Sequence, residues 1–214
     1  MQRDLLDALR CPGDHDESWL VAMVHVAVGS DLRDAELACP VCGAEYRVTE
    51  GVAYFAAATV RPEPGTHVDA DPLTGDMVVR LAALLGVSES RHPVALFGRY
   101  AAASAALADM VEAPQLLVNA GPGPVAAIAT HLYAGDRLPF GAHTLAAVAV
   151  DATHATGPML ASAAHALRVG GRLVAPADAS LPSGMRELAR DAHEWVAETT
   201  ARANGLVELR RHPP

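Results

Sequence analysis

Cys11, Cys39 and Cys42 are the only cysteines of the 214-residue chain, and they stand as Cys11-Pro12 and Cys39-Pro-Val-Cys42-Gly43 in its first fifth. Structural zinc takes four ligands in a tetrahedron, most often as sequence-close pairs on tight turns. Cys39 and Cys42 have the two-residue spacing of one complete knuckle, and Cys11 supplies half of a second. Asp14 lies three positions after Cys11, and His15 follows it. Imidazole joins three thiolates more readily than a harder carboxylate does, so His15 is the preferred fourth ligand and Asp14 the alternative. The set Cys11, His15, Cys39 and Cys42 is therefore the candidate zinc site. An odd number of thiols leaves any disulfide scheme one short. The competing reading is three small buried side chains without metal.

Other chemistry is sparse. Asp151 and His154 are candidates for a general base, provided that they follow a strand at the carboxyl edge of a sheet. No serine stands in a Gly-x-Ser-x-Gly context, and the absence of lysine removes any Gly-Lys-Ser/Thr phosphate loop. Hydrolase and NTPase readings of those types fail. The net charge is −9, and the first sixty residues carry ten acids against four arginines, a poor match for a phosphate backbone. The apolar stretch Leu20 to Val28 is interrupted by His25 and falls far short of the ~20 residues of a membrane span. The start, Met-Gln-Arg-Asp-Leu-Leu-Asp, is charged where a secretory signal is apolar, so a cytoplasmic location is expected.

These groups must be positioned by local elements. Leu5, Leu6 and Leu9 predict a short helix over 2–10, ended by Cys11-Pro12. A strand is expected from Trp19 to Val28 and a turn with re-entry over Asp31 to Leu37. A hairpin is expected from Tyr46–Val48 and Val52–Phe55 around Glu50-Gly51. Arg61-Pro-Glu-Pro-Gly-Thr reads as a linker, after which a helix opening at Asp71-Pro72 runs to Gly86. From His92 onward, short apolar runs alternate with alanine-rich stretches, the pattern of a parallel sheet with covering helices. Strands are predicted at Val94–Phe97, Gln115–Val118, Ala129–Leu132, Leu145–Val150, Arg172–Ala175 and Leu206–Leu209, with helices at about 99–111, 158–168 and 184–203. In the last helix, Trp195 joins Met185, Leu188, Ala192 and Thr199 in one stripe. The resulting organisation is a small β-rich zinc ribbon over 1–60, a linker and helix start over 61–76, and an α/β domain over 77–214.

Leu6-x-x-Leu9-Arg-Cys-Pro followed by Leu37-Ala-Cys-Pro-Val-Cys-Gly-Ala-Glu-Tyr-Arg-Val-Thr-Glu-Gly-Val52 resembles a small zinc-ribbon family whose best-known members activate and stabilise methyltransferases acting on tRNA, rRNA and release factors. The resemblance covers Leu5 to Phe55, and it departs from the family at the first knuckle, where Asp14 replaces the usual second cysteine. Asp136-Arg-Leu-Pro-Phe140, the strand Leu145–Val150 and Ala166-Leu-Arg-Val-Gly-Gly-Arg-Leu-Val174 resemble the second half of a class I S-adenosylmethionine-dependent methyltransferase. That resemblance implies a Rossmann-like sheet.

It also implies a cofactor site that this chain fills with other residues. Of the glycine turn after the first strand only Gly98 remains, with Tyr100 and Ala102 in place of further glycines and Leu96 in place of an acid. Asn119 stands where the ribose-binding acid is expected, Ala134 where an adenine-contacting Asp is expected, and Leu145-Ala146 where the family has Phe-Asp. Gly98 and Asn119 are thus the remaining candidates for contact with S-adenosylmethionine. A rival glycine loop, Asn119-Ala-Gly121-Pro-Gly123-Pro124, has two prolines that remove N–H donors. The expected function is a methyltransferase-like protein with a degenerate cofactor site, acting as a non-catalytic partner or regulatory subunit through a protein partner or self-association. The alternative is an active methyltransferase acting on a small molecule or protein.

Overall fold

A computed structural model describes residues 1–55, 73–121 and 129–200. The predicted linker, the opening of the helix at Asp71-Pro72, the strand Leu206–Leu209 and Pro122 to Ile128 lie outside the described residues.

The ribbon strands are β1 (Val21–Val28), β2 (Asp31–Ala38), β3 (Glu45–Thr49) and β4 (Val52–Tyr54), an antiparallel meander. Asp31 to Leu37, expected as a turn, is most of β2. Leu32, Ala35 and Leu37 are buried there, and the reversal needs only Gly29 (φ +60°) and Ser30. The predicted first helix is one 3₁₀ segment, Arg3–Asp7, which packs Leu5 inward.

The α/β part follows, with α1 (Gly75–Leu85), β5 (Val94–Phe97), a 3₁₀ segment Gly98–Ala103, α2 (Ser104–Leu107), β6 (Gln115–Val118), β7 (Ala129–Tyr133), β8 (Leu145–Ala149), α3 (Gly157–Ala166), β9 (Leu167–Pro176), β10 (Met185–Arg190) and β11 (Glu194–Thr199). Strands β7-β6-β5-β8-β9 run parallel in that spatial order; β11 pairs antiparallel with β9, and β10, antiparallel to β11, again follows the direction of the parallel set. Every residue of β5, β6 and β8 is buried, which is why these segments are continuous apolar runs without alternation. The fold is a Rossmann-like α/β sheet with few helices, preceded by a β-rich module bearing the cysteines. Successive strands proceed outward from β5 to β7 and then return to the other side of β5 with β8. The β5/β8 boundary is therefore the topological switch point, where open sheets of this kind form their ligand crevice.

The two parts share one sheet. β4 pairs parallel with β7 through Ala53↔Leu132 and Tyr54↔Tyr133, giving an eleven-stranded order β1-β2-β3-β4-β7-β6-β5-β8-β9-β11-β10 among the described residues. The Phe55 N–H donates to the Tyr133 carbonyl at 2.7 Å, and the Tyr54 and Tyr133 rings stack at 5.2 Å. Leu9 bridges Phe140, and the Arg10 N–H donates to the Pro139 carbonyl at 2.9 Å. Leu9, Leu37, Val48 and Phe55 belong to the same buried cluster as Leu132, Phe140 and Val148.

Three helical expectations are corrected. The segment 184–203 is the hairpin β10–β11 as far as Thr199, not a helix. Asp191 turns the chain by accepting from the N–H groups of His193 and Glu194 at 2.8 and 3.0 Å. Trp195, Val196 and Ala197 are all buried because β11 is covered on both faces, so Trp195 is strand core and belongs to no helical stripe. The helix expected over 99–111 is a 3₁₀ segment plus the single turn α2. Gly170 and Gly171 do not separate α3 from a later strand; they form a bulge inside β9, with Leu145 opposite Leu167 but Ala147 opposite Arg172. By contrast, α1 ends at Gly86 (φ +61°) and α3 begins at Thr156, whose hydroxyl accepts from the Met159 N–H at 3.3 Å. Among the described residues no helix is long and apolar enough to cross a membrane.

Candidate metal centre and switch-point crevice

The two knuckles are built by backbone geometry. In the second, the Gly43 N–H donates to the Cys39 carbonyl at 2.9 Å, the Cys39 N–H donates to Ala44, and Gly43 takes φ +70°. In the first, the Cys11 N–H donates to Ser18, and the Gly13 N–H points at the Cys11 sulfur at 3.4 Å. The ligand atoms of Cys11, His15, Cys39 and Cys42 all lie within 4.8 Å of one another. Cys11 Sγ is 3.7 Å from Cys42 Sγ, and His15 Nε2 is 3.4 Å from Cys39 Sγ. Bonds of ~2.3 Å to sulfur and ~2.0 Å to nitrogen give tetrahedral S···S and S···N edges of about 3.7 and 3.5 Å. The donor set fits a tetrahedral metal.

Neighbouring groups tune these donors. His15 Nδ1 lies 2.6 Å from the Asp16 carbonyl, which holds the proton on Nδ1 and turns the Nε2 lone pair toward the thiols. That carbonyl, followed by Cys42, raises the imidazole above its ordinary value. Burial works to raise the Cys39 thiol, but the N–H groups of Cys42 and Val41 and the neighbouring thiols outweigh it, leaving Cys39 at about 6. Burial pushes the Cys11 thiol up despite its contact with the Tyr46 hydroxyl at 3.4 Å, and partial burial followed by the Cys11 contact pushes the Tyr46 phenol well up. Asp14 stands outside the cluster and pairs with Arg137 at 3.3 Å. Tyr46 is a neighbour that spacing did not reveal; its hairpin was legible, but its reach to Cys11 depends on folding.

The crevice at β5/β8 is occupied by the chain's own side chains. Asp151, just after β8, is buried, and its Oδ2 accepts from the Arg99 N–H at 3.1 Å. Its Oδ1 lies 2.5 Å from His154 Nδ1, and the His154 ring packs 5.9 Å from Phe97. Burial works against the charged carboxylate, but the hydrogen bond and charge of His154 and the two backbone N–H groups outweigh it and hold Asp151 below its ordinary value. Gly98 has φ +47°, and a Cβ built there would overlap the Asp151 carboxylate. The one glycine left of the expected loop thus makes room for Asp151. Tyr100 is buried, and its hydroxyl donates to Glu194 at 2.9 Å; burial and the Glu194 charge push it up to about 12 against the pull of Arg99. Arg80 on α1 binds Glu194 and Asp191, each at 2.6 Å, tying helix, crevice and hairpin together.

Asn119, with φ +52°, ends β6. Its amide NH₂ donates to the Ala134 carbonyl at 3.1 Å, and its Oδ1 accepts from the Ala134 N–H at 2.9 Å. Both ends of the amide lace β6 to the end of β7. Leu96, Ala134, Leu145 and Ala146 are buried and apolar. Glu194 and Arg80 were missed in the sequence because the hairpin that carries Glu194 was read as helix.

No protein-family profile matches the chain, and no curated protein matches it. Among solved structures, it is similar to the antibiotic-resistance methyltransferase Kmr (14% identity, 57% of this chain and 92% of that one, TM-score 0.36). It is also similar to the Thermus thermophilus 16S rRNA N2 G1207 methyltransferase RsmC, solved with AdoMet and guanosine (18% identity, 82% and 47%, TM-score 0.34). A third is a Bacillus halodurans C-125 protein provisionally named a methyltransferase (12% identity, 46% and 49%, TM-score 0.34). The matched region spans about half the length of the Thermus and Bacillus chains. The strand order and the switch point carry the fold assignment, a Rossmann-like α/β sheet, and the N-terminal module brings a Cys₃His cluster to it.

Proposed function

We propose that this chain is a methyltransferase-fold protein that no longer transfers methyl groups and serves as a structural or regulatory protein partner in the cytoplasm. One observation carries the reading: the Asp151 carboxylate, fixed by the Arg99 N–H and His154, fills the space beside Gly98 at the switch point. A nucleoside entering there has to displace a buried, doubly bonded carboxylate. On the neighbouring strand Asn119 has both ends of its amide bound to Ala134, which fixes the side chain toward β7 and leaves a single N–H and a single lone pair uncommitted by these bonds. In the ribbon, Cys11, His15, Cys39 and Cys42 hold zinc, whose role is to fasten the two knuckles. Titration calorimetry with S-adenosylmethionine and S-adenosylhomocysteine tests the reading. No heat is expected for either, and a micromolar dissociation constant for either overturns it.

A second reading keeps an active methyltransferase, and it is favoured by the pair Asp151–His154. With Nδ1 held by Asp151, His154 presents Nε2 as a proton acceptor at the carboxyl edge of the sheet, where a substrate hydroxyl or amine would need one. The same calorimetry separates the two readings, because this one requires the cofactor to bind.

A further inference from the structure

The three thiols of the Cys₃His cluster differ in what surrounds them. Cys42 is exposed, whereas Cys11 and Cys39 are only 7% and 2% exposed. Cys11 Sγ lies 3.7 Å from Cys42 Sγ, so the first knuckle and the second meet through these two sulfurs. Cys39 Sγ is engaged elsewhere: it lies 3.4 Å from His15 Nε2 and faces the N–H groups of Val41 and Cys42. No fourth thiol completes a second pair, because the position three after Cys11 is Asp14, which faces Arg137. The cluster therefore holds one touching pair of thiols, with one member open to solvent, and one thiol set apart.

We propose that Cys42 is an oxidation site and Cys11 its resolving thiol, so that a hydroperoxide converts the zinc cluster into a Cys11–Cys42 disulfide and sets the metal free. Cysteines bound to zinc are thiolates, so all three sulfurs then have the reactive form. Access decides which one meets the oxidant, and that is Cys42. The Cys42 sulfur attacks one oxygen of hydrogen peroxide: an S–O bond forms, the O–O bond breaks and hydroxide leaves. The Cys11 thiolate, already in contact, attacks the sulfenic sulfur of Cys42; an S–S bond forms and a second hydroxide leaves. The two thiolates lose two electrons, the peroxide gains them, and both hydroxides take protons from solvent to become water. The two sulfurs have to close from 3.7 Å to about 2 Å. Cys39 and His15 are left, two donors where a tetrahedron takes four.

The choice of pair matters for the ribbon. A disulfide within the second knuckle, Cys39–Cys42, would leave the first knuckle with no covalent link to the second. A Cys11–Cys42 disulfide joins the two knuckles in place of the metal. It keeps Cys11 fixed next to Leu9 and Arg10, which bridge to Phe140 and Pro139 on the α/β side. Two equivalents of a small thiol such as glutathione reverse the change: the protein disulfide is reduced, the small thiol becomes its own disulfide, and the cluster can take up zinc again. The inference rests on the zinc reading of the proposed function and is independent of the crevice at β5/β8.

Treatment of the zinc-loaded chain with hydrogen peroxide tests it, read by zinc release into a chromogenic chelator against an untreated control and by peptide mass. One equivalent of zinc should be released, the intact mass should fall by two hydrogens, and alkylation in denaturant should label one cysteine instead of three. Trypsin cuts after Arg10, Arg33 and Arg47, which puts Cys11 on one peptide and Cys39 with Cys42 on another. Without reductant the two peptides should run as one cross-linked species, and fragmentation at Pro40-Val41 should place the alkyl group on Cys39. Glutathione and zinc should restore the starting mass and metal content. Less than half an equivalent of zinc before peroxide fails the zinc reading and takes this inference with it. With zinc present at the start, four results overturn the inference alone: metal and three free thiols retained after peroxide, a disulfide confined to the 34–47 peptide, a cross-link through Cys39, or Cys42 carried on to the sulfinic acid without a link to Cys11.

Discussion

Asp151 reaches across the switch point to accept the backbone N–H of Arg99, 52 positions earlier in the chain, and Gly98 is the residue that leaves room for it. A glycine in this position of a Rossmann-like sheet ordinarily invites a ligand. Here its lack of a Cβ serves an internal contact, and that difference can be measured. Gly98→Ala should destabilise the fold by about 1–2 kcal/mol from its positive φ alone, with a further cost from overlap with the carboxylate. In an Asp151→Ala background the overlap is gone, so the cost of Gly98→Ala should fall by at least about 1 kcal/mol. Urea unfolding of the four variants of this cycle gives the coupling. Additive costs would mean that the two residues do not meet.

The same carboxylate gives the stability a defined dependence on pH. Asp151 is held below 3.8 in the folded chain by His154 and the backbone donors despite its burial, so between the two values the unfolded state binds more protons. Its contribution is complete above 3.8 and is lost as pH falls through the folded value. Chemical denaturation at a series of acidic pH values should show the wild type losing stability more steeply in that window than Asp151→Asn does. Parallel profiles would remove Asp151 from the acid limb.

How much of this was legible follows from distance along the chain. The strands Val94–Phe97 and Gln115–Val118 could be read to the residue because they are buried on both faces and bounded by Pro93, Gly98, Pro114 and Asn119. The Cys₃His cluster was legible because its members lie on two tight turns, although the choice of His15 over Asp14 rested on donor chemistry and not on spacing. The hairpin β10–β11 was not. Its Arg, Glu, Leu and Ala residues favour helix, and what makes it a strand pair is the open edge of β9, which no local pattern reports. The filled crevice was legible only as a loss of glycines and acids. That Asp151, rather than Tyr100 alone, does the filling depends on the pairing of β5 with β8.

Asn119 provides a test of whether the cofactor contacts can be restored one residue at a time. Asn119→Asp keeps the acceptor for the Ala134 N–H but sets a carboxylate oxygen against the Ala134 carbonyl, where the amide now donates. The expected outcome is a loss of about 1–3 kcal/mol of stability and no binding of S-adenosylmethionine. Thermal melts with and without the cofactor check both parts, and a ligand-induced rise in the melting temperature would return Asn119 to the cofactor site.

Tyr100 and Glu194 make a buried pair whose partner, Arg80, comes from α1. Tyr100→Phe removes the hydroxyl but leaves Glu194 bound to Arg80, so about 1 kcal/mol should be lost. Arg80→Met leaves the Glu194 carboxylate without its cation while Asp191 still caps the hairpin turn. It should cost more than Tyr100→Phe and should loosen α1. Hydrogen exchange of the α1 amides reads the second effect. Unchanged exchange there would mean that the apolar residues Val78, Leu81 and Leu85 hold the helix without help.

If the Cys₃His cluster holds zinc as proposed, removal of the metal should be felt through the sheet in a definite order. The two knuckles meet at their thiols and His15, and the second knuckle joins β2 to β3, so chelation should free the β2–β3 connection first. β4 follows through its pairing with β3, but the seam to β7 also has the Tyr54–Tyr133 stack and the Phe55 hydrogen bond. Exchange after chelation should therefore rise in β1 to β3, less in β4, and little in β5, β6 and β8. Zinc content should follow the same ligand geometry: His15→Ala should release more metal than Asp14→Ala, because His15 Nε2 faces Cys39 whereas Asp14 faces Arg137. Equal retention in the two variants, or less than half an equivalent of zinc in the wild type, would remove His15 or the whole cluster from the role of metal centre.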